Sequence, residues 1–301
     1  MFCGAYPVST KRGIKAAFAL VVVTITLGFD AASTRANQAE GVPSKSSNIS
    51  TLWPGSLDWL WATKNHSKVR PRHYEVFAGA DGAKTVWLLY SGATLAPFGD
   101  IHDQGWRLRA SGGYGQYTYT SRKTSRPFNE QSHRAATHYQ DALVGYLARL
   151  DPLIAKAFIG VAQIDHQILP YDGLNVVQGP DFGVKGVIEL WLNIGKNGWA
   201  SLDLSWSQAH NTRTARARIA HRFENGLSVG LESAINVDAQ AEFKLTKEAA
   251  AHRNTAMDFA RVGTFVRADW YGGEISASSG LLGDFTNEKT PYATINWIKQ
   301  F

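Results

Sequence analysis

Polar and apolar residues alternate along one stretch of this chain after another. A period of two sends the two sets to opposite faces of a β-strand, whereas a helix would spread both around its circumference. The pattern recurs at 106–114, 200–207, 214–223 and 227–237. Strands with one polar and one apolar face are therefore the main constraint on the fold. In the clearest stretch the apolar set is Ala200, Leu202, Leu204 and Trp206, and the polar set is Ser201, Asp203, Ser205 and Ser207.

Twelve such strands are predicted, separated mostly by short connections. Residues 195–198, 224–226 and 80–82 contain Asn-Gly or Asp-Gly pairs, which are typical of hairpin turns. Closing a long meander into a barrel removes both exposed sheet edges. We therefore predict an all-β fold, a twelve-stranded antiparallel up-and-down transmembrane β-barrel. The predicted strands are 72–80, 84–96, 105–120, 134–148, 153–165, 181–194, 199–208, 212–223, 226–237, 256–268, 273–282 and 291–301.

Connection lengths support a barrel of the outer-membrane type. If the chain enters the barrel from the periplasm, the longest connections all fall on the outer side, as such barrels require. Most strands also reach the 9–11 residues that cross a bilayer when tilted. The predicted periplasmic connections are 97–104, 149–152, 195–198, 224–225 and 269–272, and the outer ones are 81–83, 121–133, 166–180, 209–211, 238–255 and 283–290.

Residues 1–36 have the pattern of a secretory signal peptide, which predicts export by the Sec pathway. Lys11, Arg12 and Lys15 precede an uncharged apolar stretch of about 14 residues, and small residues follow near 34–36. The stretch is shorter than the roughly 20 residues of a membrane-spanning helix, although a retained anchor is the alternative. We expect an irregular periplasmic lead-in at 37–70 and the barrel at 71–301.

Charge and cysteine content exclude several classes of function. Residues 1–36 hold four of the 31 basic and one of the 25 acidic residues, which leaves 27 basic and 24 acidic residues in the mature chain. Because basic and acidic residues are nearly equal in number, the net charge gives no reason to expect a nucleic-acid partner. Cys3 would leave with the signal, so we expect no disulfide and no thiolate metal site. No metal-ligand spacing stands out, and we expect no metal and no cofactor.

The sequence Gly112-Gly113-Tyr114-Gly115 superficially matches a phosphate-binding glycine loop. It lies inside a predicted strand with no helix after it, so the motif lacks its structural context. We expect these glycines to relieve crowding or to bend the barrel wall.

Charged residues on the polar faces form the candidate site, because lipid cannot hydrate them and they must point to the lumen. Two interpretations remain open. The charges either pair across the lumen and brace the wall, or the arginines form a ladder that passes anionic or hydroxyl-rich sugar chains. The lumen-lining candidates are Arg107, Arg109, Lys185, Glu189, Asp203, Arg216, Arg218, Arg222 and Glu232, with Arg261, Arg267 and Glu274 as further inward candidates.

Histidines are the candidate bases for a lipid-modifying barrel enzyme. Such enzymes place a Ser or His with a polar orienting partner near a membrane interface. No grouping of His, Asp and Ser in the sequence indicates this site, so we expect solvated loop histidines, no catalytic residue and no enzymatic activity. The nine histidines are His66, His73, His102, His133, His138, His166, His210, His221 and His252.

Residues 112–119, 142–146 and 170–191 resemble the BcsS family, a group of bacterial cellulose-biosynthesis accessory proteins regarded as outer-membrane barrels. The resemblance extends over about 72–301 and supplies no catalytic residue. It implies a role beside cellulose synthase in making or exporting the polymer, with outer-membrane lipid, glucan and synthase components as partners. The alternatives are a channel for acidic oligosaccharides and, less favoured, a lipid-modifying enzyme.

Overall fold

The computed structural model describes residues 71–122, 130–173, 175–239, 260–284 and 288–301. Twelve antiparallel strands form a closed barrel, which confirms the predicted fold. No helix within these ranges is long and apolar enough to cross a membrane. The predicted signal peptide and lead-in lie outside the described residues. The strands are β1 (Tyr74–Ala83), β2 (Val86–Leu95), β3 (Gly105–Arg122), β4 (Glu130–Leu150), β5 (Leu153–Leu169), β6 (Gly179–Ile194), β7 (Gly198–Ser207), β8 (Arg213–Arg222), β9 (Leu227–Val237), β10 (Ala260–Trp270), β11 (Gly273–Asp284) and β12 (Glu288–Gln300).

Pairing of the first strand with the last closes the barrel. The β1–β12 register runs from Glu75 opposite Gln300 to Ala83 opposite Tyr292. The last residue extends the ladder, because the Phe301 N–H donates to the Tyr74 carbonyl oxygen at 2.9 Å. Neither strand is left with an open edge at this junction, and an open edge is what promotes pairing with other chains.

The outer face of the barrel carries an apolar band bounded by aromatic residues. Leu231 and Ile159 on this face are more than half exposed. Trp106 packs against Tyr146 near one end, and Trp87 packs against Tyr114 nearer the other. Trp106 and Tyr114 are eight residues apart on β3, about 26 Å along the strand. At a tilt of about 40° this spacing projects to roughly 20 Å along the barrel axis, somewhat less than the ≈ 25 Å apolar band of membrane barrels.

The two ends of the barrel differ in their connections. We call the end with the connections 96–104, 151–152, 195–197, 223–226 and 271–272 the turn end, and the opposite end the loop end. The longest connection, between β9 and β10, lies at the loop end, as expected from the sequence. The asymmetry is incomplete, because the connection 96–104 at the turn end is as long as 170–178 at the loop end. Strands β3 to β6 extend furthest at this end and form a raised part of the wall.

Polar and apolar residues are mixed on the outer surface of this raised wall. The Gln140 amide donates to the Gln163 side-chain oxygen at 2.9 Å, and Arg134 donates to Gln116. Leu169 and Phe182 are exposed on the same outer face.

The predicted end of β1, start of β4 and end of β5 are wrong, because all three strands are longer than expected. Residues 80–82 do not form a turn, because β1 continues to Ala83 and the turn follows it. Asp81 instead points inward, where the Arg261 guanidinium donates to it at 3.1 Å. Strand β4 begins at residue 130 rather than 134, and β5 ends at residue 169 rather than 165.

The longer strands are explained by packing inside the raised wall. Tyr117, Tyr119, Ala135 and Ile168 form a buried cluster on its inner face. Burial of apolar surface stabilises these strand ends, although their sequences contain many polar residues.

Glycine at position 113 relieves crowding on the inner face of β3, one of the two roles expected from the sequence. A Cβ placed there would lie 2.5 Å from the Tyr139 ring and 2.8 Å from the Leu89 carbonyl oxygen. The glycine therefore lets the Tyr139 ring lie flat against the inner wall.

Candidate functional site

The connection 96–104 covers part of the barrel mouth at the turn end. Ile101 within it is buried, and Arg107 at the start of β3 fastens the connection in place. The Arg107 guanidinium donates to the backbone oxygens of Trp106 at 2.7 Å, of Ile101 at 3.0 Å and of Asp103. An arginine that satisfies several carbonyl oxygens in this way holds the connection in one conformation.

His102 joins this connection to two distant strands. Its Nε2 lies 3.0 Å from the Gln300 side-chain oxygen, and its carbonyl oxygen accepts a hydrogen bond from Arg149 at 2.6 Å. Burial lowers the pKa of His102 to about 3, and the cations of Arg72 and Arg149 act in the same direction against the opposing effect of Asp100. The imidazole is therefore neutral at neutral pH and donates its Nε2 proton to Gln300.

Stacked aromatic side chains fill another part of the turn end. Trp191 and Trp199 are stacked with ring centroids 4.1 Å apart, and Phe265 packs on Trp199 at 5.5 Å. The Arg267 guanidinium carbon lies 4.9 Å from the Trp191 ring centroid. Trp199 and Phe265 point inward, so the interior is not uniformly polar. The alternating sequence pattern predicts that inner faces are polar, so it does not predict these aromatic contacts.

A row of charged residues in direct strand register crosses the middle of the barrel wall. Lys156 on β5 pairs in register with Glu189 on β6, Glu189 with Asp203 on β7, and Asp203 with Arg216 on β8. The row continues through Ala234 to Arg261 on β10. Directly opposite residues on neighbouring strands project to the same face and lie within contact distance. We call the charged residues of this row, together with Arg109 and Glu232, which contact them inside the barrel, the ion-pair belt.

Arg109 on β3 contacts the belt from a strand outside the row. Its guanidinium contacts Glu189 with both terminal nitrogens, one at 3.2 Å and one closer. Lys156 Nζ lies 3.4 Å from the same carboxylate. The fork-shaped contact of an arginine with a carboxylate is among the stronger charged hydrogen-bond arrangements. This contact bridges strands that are three positions apart around the barrel.

Glu232 is the most deeply buried carboxylate of the interior, with 2% of its surface exposed. Arg216 donates to it at 2.5 Å and the Tyr292 hydroxyl at 2.8 Å, while Arg261 Nε lies 4.0 Å away. Arg261 also pairs with Asp81, which extends the network to β1. A carboxylate taken out of water is stable only when such partners compensate for lost hydration.

The remaining candidates also form contacts inside the barrel. Lys185 Nζ lies 2.5 Å from Asp141, and Arg218 lies 3.8 Å from Asp203. Arg267 contacts both Glu274 and Asp269, at 2.5 Å and 2.7 Å. Arg222 is buried on the inner face of β8 near the turn end.

All nine lumen-lining candidates and the three further ones therefore lie on inner faces of the barrel. The belt unites Arg109, Glu189, Asp203, Arg216, Glu232 and Arg261, while Arg107 and Arg222 lie apart from it at the turn end. Sequence reasoning did not single out Lys156, Asp141 or Asp81. Inner-face parity on β5, β4 and β1 identifies these three once the strand bounds are known.

Two interior cavities share the belt as a common wall. The turn-end cavity has a volume of about 360 Å³ and the loop-end vestibule about 590 Å³. Tyr90, Glu189, Asp203 and Arg216 line both of them. The charge balance differs, because seven Arg or Lys and four acidic side chains line the turn-end cavity, whereas two Arg and four acidic side chains line the vestibule.

Three histidines at the loop end contradict the expectation of solvated loop residues. His133, His166 and His210 are buried, and the first two lie within strands on inner faces. Their partners explain the burial, since the His133 ring stacks on Tyr119 at 5.0 Å and the His166 and His210 rings meet at 5.1 Å. His66 and His252 lie outside the described residues.

One of these histidines contacts a serine without forming a catalytic triad. Ser121 Oγ lies 2.7 Å from His133 Nε2, while Nδ1 lies 2.8 Å from the Pro170 carbonyl oxygen. Asp172 lies 4.0 Å from Nε2, the nitrogen already facing the serine, so it does not orient the ring as a triad acid does. Across the described ranges, no group of three or more His, Cys, Asp or Glu residues could hold a metal ion.

A family model for the cellulose biosynthesis protein BcsS matches residues 76–298 of this chain. The match begins in β1 and ends in β12, so it covers the barrel almost completely. The chain belongs to the BcsS family. This membership confirms the resemblance found in the sequence, and it connects the barrel with cellulose biosynthesis. No curated protein matches the sequence significantly.

Several solved barrels are similar to this BcsS-family chain at low identity. The KdgM porin is 7% identical with a TM-score of 0.44, over 75% of this chain and 99% of the porin. The COG4313 outer membrane channel from Pseudomonas putida F1 is 10% identical with a TM-score of 0.42, over 80% and 99%. The transport unit of the autotransporter AIDA-I from Escherichia coli is 9% identical with a TM-score of 0.42, over 80% and 94%.

Replacing Glu232 with Ala is expected to destabilise the barrel strongly. The substitution leaves Arg216 and the Tyr292 hydroxyl without their carboxylate partner in a buried position. We expect a loss of about 3–5 kcal/mol in the free energy of unfolding, measured by urea denaturation in detergent micelles. Glu224→Gln, which changes an exposed carboxylate in a turn, is the control and should shift stability by about 0.5 kcal/mol or less. Equal effects of the two substitutions would contradict the role given to Glu232.

Acidification is expected to loosen the connection 96–104. When the connection is released, His102 regains a pKa near 6.5 and binds a proton that the docked ring does not bind. Docking therefore weakens as pH falls below about 6.5, by on the order of 2 kcal/mol at pH 5. Hydrogen exchange of the backbone amides of 96–104, corrected for intrinsic rates, measures this loss. In the His102→Gln variant, hydrogen exchange of 96–104 should no longer change between pH 7 and pH 5. If the change persists in this variant, a group other than His102 causes it.

Proposed function

We propose that this BcsS-family protein is a non-enzymatic accessory component of cellulose production that resides in the outer membrane. The observation that carries the proposal is the family match across nearly the whole barrel, which makes the barrel itself the family's common part. The apolar outer band and its aromatic borders support insertion into lipid. The turn end then faces the periplasm and the loop end faces outward, after export by the Sec pathway.

Within this role, the protein acts as a closed membrane platform in its resting state. The ion-pair belt divides the interior, and the connection 96–104 covers part of the periplasmic mouth. These contacts support the bracing interpretation of the lumen charges over the conducting one. A platform in this position can hold components of the cellulose synthase complex at the outer membrane, and glucan then leaves beside or through the barrel.

The excess of cationic groups in the turn-end cavity favours a second candidate, a channel for acidic oligosaccharides. Seven Arg or Lys side chains line that cavity. Several of them are already engaged with carboxylates, including Arg109 with Glu189 and Arg267 with Glu274. A passing acidic sugar would have to compete with these intramolecular partners and displace the connection 96–104.

The inward position of the Ser121–His133 pair supports the absence of lipid chemistry. Both residues lie on the inner face of the raised wall, away from the lipid-facing surface. The His133 ring is oriented by a backbone carbonyl oxygen rather than by a carboxylate.

Deleting the gene tests the proposed function. We expect reduced cellulose at the cell surface, restored by the wild-type chain, and unchanged uptake of acidic oligosaccharides. Quantification of cellulose after enzymatic digestion and growth on oligogalacturonate measure the two arms. Normal cellulose together with impaired uptake would favour the channel for acidic oligosaccharides instead.

A further inference from the structure

The loop-end vestibule has two chemically different halves. Tyrosines from β2, β3, β4 and β12, strands that follow one another around the barrel apart from β1, line one half. Hydrogen-bonding side chains from β7 to β10 line the other. The tyrosines are Tyr90, Tyr117, Tyr139 and Tyr292, and the polar residues include Asp203, Ser205, Thr214, Arg216, Asn236 and Arg261.

The aromatic half combines ring surface with fixed hydroxyl groups. The Tyr139 ring lies against Gly113, where any Cβ would collide with it. The Tyr292 hydroxyl donates to Glu232 at 2.8 Å, and the Tyr90 hydroxyl donates to Asn296. Tyr117 and Tyr292 are buried, so the ring surface that a ligand can reach belongs to Tyr90 and Tyr139. Rings held in this way offer apolar surface without a large loss of side-chain freedom on binding.

The polar half offers donors and acceptors that a ligand can reach. Ser205 Oγ and Thr214 Oγ1 lie 2.7 Å apart in an exposed pair, and Asn236 is exposed at the end of β9. Arg216 and Asp203 form the floor, where the belt separates the vestibule from the turn-end cavity. A small set of polar groups in a partly apolar cavity is the usual composition of a ligand site.

Charge and size restrict what the vestibule accepts. Four acidic side chains against two arginines repel a polyanion such as an acidic oligosaccharide. The volume of about 590 Å³ lies within the range of small-molecule sites. A β-linked glucan has flat faces of C–H groups and a rim of hydroxyls, which match the aromatic and the polar half respectively.

We propose that the loop-end vestibule binds a short segment of uncharged β-linked glucan, with its ring faces on Tyr90 and Tyr139 and its hydroxyls on the β7–β10 half. This inference rests on the proposed function for the origin of the glucan, but the binding site stands on the cavity alone. Bound from the outer side, the segment would meet the belt as a floor and would not pass through the resting barrel.

Binding of cellohexaose to the purified full-length barrel in detergent tests the proposal. Isothermal titration calorimetry should detect binding of cellohexaose and none of oligogalacturonate of similar length. Tyr139→Leu removes the ring and should weaken binding by about tenfold or more, whereas Tyr139→Phe should stay within about twofold. Tyr114→Leu, on the outer face of β3, is the matched control and should bind as the wild type does.

Circular dichroism and the heat-dependent shift of the barrel in gel electrophoresis establish that each variant is folded. If Tyr139→Leu unfolds, Asn236→Ala combined with Ser205→Ala tests the polar half with the same ligands, and a loss of binding supports the site. A folded wild-type barrel that does not bind cellohexaose, or binds oligogalacturonate more tightly, overturns this inference. Reduced cellulose in the deletion strain without cellohexaose binding would overturn the site alone, and binding with normal cellulose would overturn the proposed function alone.

Discussion

Compensation of charge inside a closed wall is the interaction on which this barrel depends. Lipid outside the wall cannot hydrate polar side chains, so each one must turn inward and find a partner in a narrow space. Arg109 and Lys156 compensate the charge of Glu189, and Arg216 compensates that of Glu232. The contact of Arg109 with Glu189 also ties β3 to β6, three positions away around the barrel. The same pairs that stabilise the barrel also divide its interior.

The fold was predictable because its constraint acts on every second residue. All twelve strands were located to within a few residues, since an alternating pattern changes face at every step. The predicted turn at Asp81 failed for the converse reason. An Asp-Gly pair favours a turn when the Asp side chain has no stronger partner elsewhere in the fold. Here Arg261, 180 residues away, donates to the Asp81 carboxylate, and Asp81 stays within β1.

The sequence could indicate which charged residues belong to the candidate site, but it could not indicate which of them contact each other. Inner-face parity correctly indicated that Glu232 and Arg216 point inward, and it cannot say which carboxylate meets which arginine. That choice depends on the stagger of strands around the closed barrel. Trp199 and His133 were missed because both break the association of inner faces with charged or small polar residues. Each is stabilised by a ring on another strand, Trp191 for Trp199 and Tyr119 for His133.

Together these features describe a barrel whose two ends differ in structure. The connection 96–104, held in place by Arg107, covers part of the turn end, while the loop end opens into a vestibule of mixed aromatic and polar character. Under the proposed function, a glucan would meet the barrel on the outer side and synthesis components would meet it on the inner side. The division between these two sides is made by the ion-pair belt.

Recording from single barrels in a planar lipid bilayer at neutral pH tests the closed interior most directly. The account predicts an inserted, folded barrel with no steady current, because the belt and the connection 96–104 obstruct the path. A steady conductance of porin size from the wild-type protein would contradict it.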